Sequence, residues 1–189
     1  MRKAVWLLGI LALVTVFWGC SSNKIDQAPA LKFLHGVQDS DKNKMYEAAN
    51  LTTDLVNDSK EKLIHPNQYK QTEQQRKDSE HALRISGEIN FFSTKLKKMF
   101  PKSASFQITK SKNKKSVDGT QNAVHTVKIV YGNKEEAIYD KTNHPVKEMV
   151  VQLQQATRTV NGRSIHEFSF NSQDFDKLAD RDFEVLSYY

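Results

Sequence analysis

Six histidines are the first residues to ask chemistry of: His35, His65, His81, His125, His144 and His166. No two stand at i+2 or i+4, so the sequence offers no local pair of metal ligands. His125 and His166 fall in stretches where apolar and polar residues alternate, and a strand meander can turn both toward one cavity with Tyr131 or Tyr139. Such a cavity suits ligand binding or general acid–base work. Asp39-Ser40-Asp41-Lys42-Asn43 begins like a calcium loop, but Lys44 replaces the turn glycine and Asn50 the bidentate glutamate. Helix interruption and capping account for the same residues. Asp174, Asp176, Asp180, Asp182 and Glu184 also lack the glycine turn and read as a solvated acidic face. Nucleophile-elbow, Walker, dinucleotide-turn and His-Glu-x-x-His motifs are absent. No catalytic residue, metal or cofactor is therefore expected.

A second kind of chemistry is charge. Lys95, Lys97, Lys98, Lys102, Lys110, Lys112, Lys114 and Lys115 fall within 21 residues that hold no acid. A soluble helix end and hairpin tip explain such a run, since lysine also deters edge pairing. The functional reading is an anionic surface: lipid headgroups, at about 1 kcal/mol per lysine, an acidic partner or an anionic wall polymer.

The leader decides between addresses. Arg2 and Lys3 precede 15 uncharged residues (4–18), then Gly19-Cys20-Ser21. That run is short for a span, which needs roughly 20 apolar residues, and suits the apolar region of a secretory signal. Phe17-Trp18-Gly19-Cys20 resembles the lipobox of bacterial lipoprotein signals: Gly19 and Cys20 match, while Phe17 and Trp18 stand where leucine and a small residue are usual. The resemblance implies cleavage after Gly19 and a diacylglyceryl thioether on Cys20, with an acyl chain on its amine. Because Cys20 is the only cysteine, thiol catalysis, disulfides and a several-thiolate zinc site are all excluded. Cleavage takes the 28 basic residues to 26 against 22 acidic ones, a mature charge of about +4. The address is the extracytoplasmic face of a bacterial envelope, the outer membrane in a Gram-negative host given Ser21, and nucleic acid is not an expected partner.

The chain has 189 residues, 38% hydrophobic, with 7 glycines and 4 prolines, which fits one domain and no collagen-like or low-complexity segment. Residues 1–19 read as the signal peptide, 20–27 as a tether and 28–189 as a single α+β domain. Pro29 opens a helix with Ala30, Phe33, Leu34 and Val37 on one face. Met45, Ala48, Ala49, Thr52, Leu55 and Val56 predict a second, and 57–71, with Pro66, reads as loop. Residues 72–100 form the strongest pattern: Thr72 with Gln75 has capping-box spacing, and Ala82, Ile85, Ile89, Phe92, Leu96 and Met99 step by three and four. This long amphipathic helix stops at Pro101 and has a sheet face as its natural partner.

Beyond Pro101 the period becomes two. Strands are predicted through Phe106 and Ile108, through Val127, Ile129 and Tyr131, over 146–160 and over 165–170, with turns at Asp118-Gly119 and Asn161-Gly162. A short edge strand at 135–140 and a last helix and strand within 172–189 bring the bent antiparallel sheet to five or six strands. Helices first and a meander after is an α+β order.

Over 28–170 the chain resembles the nuclear-transport-factor-2-like and cystatin-like lipoproteins, on Pro29-Ala30-Leu31-Lys32-Phe33-Leu34, Lys44-Met45-Tyr46-Glu47-Ala48-Ala49, the long helix and the strand train ending in Val150-Val151-Gln152-Leu153-Gln154. The resemblance implies a sheet wrapped around the helix. Enzymes of that fold use a histidine or aspartate inside the cone, and other members carry or bind. The Gln-x-Val-x-Gly wedge of inhibitory cystatins is absent. The expected function is a non-enzymatic, lipid-anchored module that binds another envelope protein or supports an assembly. The alternative is a carrier of a small apolar ligand, or an enzyme, using a pocket lined by His125, Tyr131 and His166.

Overall fold

Pro29 sits in the first turn of α1 (Ala28–Asp39), which buries Ala30, Phe33, Leu34 and Val37 as the spacing requires. The computed structural model describes residues 25–116, 120–160, 162–170 and 183–189. Gly19, Cys20, the Asp118-Gly119 turn, Asn161 and the acids at 174, 176, 180 and 182 lie outside the described residues, and only the backbone of Lys115 is described.

The chain leaves α1 through Ser40, whose φ of 57° lies in the left-handed region. Asp41 then caps α2 (Lys42–Ala48), accepting from the Asn43 and Lys44 amides. The acids that begin like a calcium loop are spent here: Asp41 on the cap, Asp39 on Lys44 at 2.6 Å.

Residues 57–71 depart from expectation. α3 (Thr53–Ile64) is a 12-residue helix covering much of what reads as loop, capped by the Thr52 hydroxyl on the Leu55 amide. Only Ser59 of it is fully buried; Leu55, Val56 and Leu63 are half-buried, with Leu55 and Val56 packed on the core, a narrow stripe that the polar residues around it and Pro66 obscure in the sequence. A Lys62–Asp58 pair at 2.6 Å braces its exposed side. The long helix is as expected. α4 (Glu73–Lys95) begins with a complete capping box between Thr72 and Gln75, and a 3₁₀ turn (Leu96–Lys98) ends it before Pro101.

Among the described residues the antiparallel sheet has five strands: β1 (Ser105–Lys115), β2 (Gln121–Val130), β3 (Val146–Val160), β4 (Arg163–Ser169) and β5 (Phe183–Tyr188). The helices precede the sheet, and the fold is α+β. One edge of the 15-residue β3 pairs along its length with β2; the other is shared end to end, by β4 at residues 154–160 and by β5 at residues 146–151. The expected edge strand at 135–140 is instead a turn with one isolated bridge, Tyr139 to Pro145. Asp140 accepts from the amides of Thr142 and His144, which satisfies the backbone locally and leaves no ladder to extend.

The inner sheet face carries Val127, Ile129, Met149, Val151 and Leu153, all buried. The α4 stripe closes over it, with Phe92 edge-on to Phe33 of α1 and to Phe170 after β4. Phe33 stacks on Phe168 of β4 at 4.5 Å. The Tyr131 hydroxyl donates to the Met99 carbonyl at 3.1 Å, tying the end of the helix to β2. At the outer edge of β4 the His166 amide donates to the Ala49 carbonyl at 3.0 Å and the Asn50 side chain to the Ser164 carbonyl at 2.7 Å. The α2–α3 turn thus covers that edge.

Candidate functional site

Strand parity decides which polar groups face inward. Ala123, His125, Val127 and Ile129 share the buried face of β2, so His125 enters the interior with its apolar neighbours and is 0% exposed. A bulge at Thr109 shifts β1 by one residue and turns Ser111 toward the same side. Gln155 of β3 and His166 of β4 complete a polar row across four strands.

The row has one consistent set of protons. Gln27 Nε2 donates to Ser111 Oγ at 3.0 Å, and Ser111 donates to His125 Nδ1 at 2.8 Å. His125 Nε2 donates to Gln155 Oε1 at 3.0 Å. Gln155 Nε2, at 3.4 Å, and the Thr157 hydroxyl, at 3.0 Å, both face His166 Nδ1. Each group gives a proton to the next, so both imidazoles carry hydrogen on Nε2 and accept at Nδ1. Burial holds both rings below the ordinary histidine pKa, with the bond to Gln155 opposing at His125 and the Asp26 carboxylate opposing at His166.

The row ends at an open cleft of about 810 Å³ between the start of the described chain and the far end of the β1–β2 hairpin. Asp26, Asn113, Asn122, Gln155, Thr157 and His166 are among its walls. Of the three histidine and tyrosine liners read from the sequence, only His166 is there. His125 lies beneath the row with both ring nitrogens bonded, and Tyr131, 2% exposed, belongs to the core beside Met99. Burial raises the Tyr131 pKa, so it remains a neutral phenol. Tyr139 is exposed on the turn. The three do not form one pocket.

The lysine run also divides. Lys95, Lys97, Lys98 and Lys102 surround the end of α4, whereas Lys110, Lys112 and Lys114 project from β1, whose length from Ser105 to Lys114 is about 30 Å. Because Ser111 points inward, these three point outward, and all are exposed. Their cross-strand neighbours are Thr126, Val124 and Asn122, followed by Gln152, Gln154 and Ala156 on β3, none of them acidic.

Spacing along the chain does not reveal one further cluster. Arg84 of α4 grips Glu167 of β4 with two bonds, 2.6 and 2.7 Å, while also reaching Glu88 at 2.6 Å and His81 Nδ1 at 2.9 Å. The Arg84–Glu88 step of four and the His81–Arg84 step of three are visible in sequence, and the Glu167 contact is not. Desolvation opposes ionisation of Glu167, but the Arg84 bonds prevail and hold it below the ordinary glutamate value. Glu88 is raised, chiefly by desolvation and further by Glu167. Among the described residues no group of three or more His, Cys, Asp or Glu stands close enough to share a metal ion.

Comparison of the chain with family models, with curated proteins and with solved structures finds no match in any of the three.

Proposed function

We propose that the chain is a bacterial lipoprotein anchored through Cys20, whose α+β domain works at the envelope by binding and not by catalysis. The observation that carries this reading is the placement of the chain's leading end on the domain. Gln27 is bonded to Ser111 in the middle of the Lys110–Lys114 stretch, and Ile25 and Asp26 share the cleft with Asn113 and Lys114. Cys20 stands only five residues before Ile25. A lipid on Cys20 is therefore tethered, within about 17 Å of Ile25, to the β1 edge of the sheet. Lys110, Lys112 and Lys114 project from the other face of that edge strand and meet the bilayer when the tether passes around it, while Lys97, Lys98 and Lys102 stay at the far end of β1. Three lysines close to anionic headgroups contribute about 3 kcal/mol, roughly a hundredfold in membrane occupancy at low salt. Another envelope protein is then met at a fixed height above that surface. The enclosure of His125 and Tyr131 also favours binding over catalysis, because neither reaches a substrate.

The test begins with the mature amino terminus. Mass spectrometry is expected to find acylated Cys20, and Cys20→Ala to leave the membrane fraction and lose its crosslinked envelope partner in cells; an intact, unacylated terminus overturns the reading. With anionic vesicles, K110Q/K112Q/K114Q is expected to weaken association of the full chain and K97Q/K98Q/K102Q to leave it nearly unchanged.

The carrier reading has one observation in its favour. A hollow of about 390 Å³ lies between α4 and the end of β4, walled by Gly87, Phe91, Phe92 and Phe170 with the charged Arg84 and Glu88 at its side. It predicts an apolar compound that co-purifies with the protein and is recovered by solvent extraction.

A further inference from the structure

β1 and β4 end the strand order on opposite sides of the sheet, and the chain treats the two differently. At β4 the α2–α3 turn covers the edge, with the His166 amide on the Ala49 carbonyl and the Asn50 side chain on the Ser164 carbonyl. β1 has no such cover: among the described residues only β2 hydrogen-bonds to its backbone. A strand presents alternate amides and carbonyls to its two sides, so the outer set of this 11-residue strand lies open. Ser105, Gln107, Thr109, Lys110, Lys112, Asn113 and Lys114 are all exposed. An extended segment laid along this edge finds a ladder ready to pair.

What guards this edge also selects what it accepts. Beyond the bulge at Thr109, Lys110, Lys112 and Lys114 project from one face in regular register with Thr126, Val124 and Asn122 of β2. An incoming strand sets its own alternate side chains directly beside this row. A second copy of β1 brings lysine against lysine, and a neutral strand leaves three ammonium groups side by side without counter-charge. The sheet supplies none, since the cross-strand neighbours of the row are not acidic and the nearby Glu148 is held by Lys128 at 2.9 Å. Carboxylates at every second residue meet the row one for one. We propose that β1 takes up an extended acidic segment of another envelope protein as an added strand, its alternate carboxylates facing Lys110, Lys112 and Lys114. Main-chain bonds to the edge supply affinity, and the lysines set which segments are admitted. The inference rests on the reading that the domain works by binding, and it names the segment bound. Cys20 plays no part in it, so failed acylation and a failed titration are separate results. Headgroups and acidic strand draw on the same lysines and exclude each other at this face.

The experiment uses the full isotope-labelled chain in micelles of an uncharged detergent at low salt, with amide exchange along β1 as the readout. The probe is acetyl-Thr-Glu-Thr-Glu-Thr-Glu-Thr-amide, and the contrast is the same peptide with lysine for glutamate. The glutamate peptide is expected to bind saturably and to protect alternate β1 amides; the lysine peptide is expected to do neither. Two N-methylated forms of the probe, one methylated on its threonines and one on its glutamates, separate strand pairing from charge. Alternate amides point to opposite edges, so one form is expected to lose at least about tenfold in affinity while the other binds like the parent. K110E/K112E/K114E is expected to reverse the choice of peptide, and its three positions are exposed, so it keeps its fold. Phosphatidylglycerol added to the micelles is expected to displace the probe without protecting any β1 amide. Four results overturn the proposal: no saturable binding of the glutamate peptide, two methylated forms that behave alike, a glutamate preference that survives the triple charge reversal, or the same protection from phosphatidylglycerol alone.

Discussion

His125 is the residue on which the interior polar row depends. His125→Leu removes the donor from Gln155 and the acceptor from Ser111, and two partly buried groups left short of partners cost about 1–3 kcal/mol in urea unfolding. H125L/Q155L removes both sides of the central bond and is expected to cost less than the sum of the single changes. Acid acts on the same residues. His81, His125 and His166 are all held below the unfolded value of 6.5, chiefly by burial; Arg84 and Arg158 reinforce this at His81, against Glu167 and Asp78. The unfolded chain therefore takes up protons first as pH falls below about 6.5, so stability is level above that pH and declines beneath it. Glu167 adds a later loss, as pH falls below the ordinary glutamate value and through its own lowered one, which the raised Glu88 partly offsets. Urea midpoints at pH 7.5, 6.5 and 5.5 check the histidine phase; a midpoint that rises on acidification contradicts it. Parity in β2 makes the burial of His125 legible in the sequence. Its partners are not, because Gln27, Ser111, Gln155 and His166 are brought together only by the strand register and the bulge at Thr109.

Among the elements, α3 and α4 show what a sequence displays and what it hides. α4 announces itself through its capping box and a long stripe in steps of three and four; α3 is capped by Thr52, braced by surface pairs and packed on the core through the half-buried Leu55 and Val56 alone. Hydrogen exchange is expected to find the α3 amides opening well before those of α4. Thr72→Ala removes one half of the capping box and should cost about 1 kcal/mol. The α1–α2 corner is less forgiving. A methyl group on Gly36 would lie 2.7 Å from Met45 Cγ, 3.0 Å from the Met45 amide nitrogen and 3.1 Å from the Asp41 carbonyl. The side chain can turn away but the backbone cannot, so Gly36→Ala is expected to lower stability by about 1–3 kcal/mol in the same urea assay. No spacing rule marks Gly36, since the approach is between two helices and not within one. The missing edge strand at 135–140 is likewise an effect of local turns: Asn133 accepts from the Glu136 amide, and Asp140, whose hydrogen bonds hold its pKa at about 2, accepts from those of Thr142 and His144.

Across the whole molecule, the alternation of helix and strand periods is enough to read an α+β domain with helices first. The division of the lysine run between two ends is not readable, because β1 separates in space what is continuous in sequence. The shared edge of β3 is a second feature of this kind. Among the described strands β5 pairs only with β3, across separations such as Val146 to Tyr188, and the Tyr188 hydroxyl on Asp140 and the Tyr189 hydroxyl on the Tyr131 carbonyl fasten its end. Removing residues 183–189 would leave the 146–151 edge of β3 unpaired, and the truncated chain is expected to associate in analytical ultracentrifugation where the whole chain does not. There is also an arrow of time in this arrangement. β5 is made after every segment it completes, so throughout synthesis the emerging chain lacks the strand that seals half of its longest one. Its sheet therefore stays open along half of β3 until the segment beyond β4 has been made, and a chain that has to be drawn out as a thread meets less resistance before that point than after it.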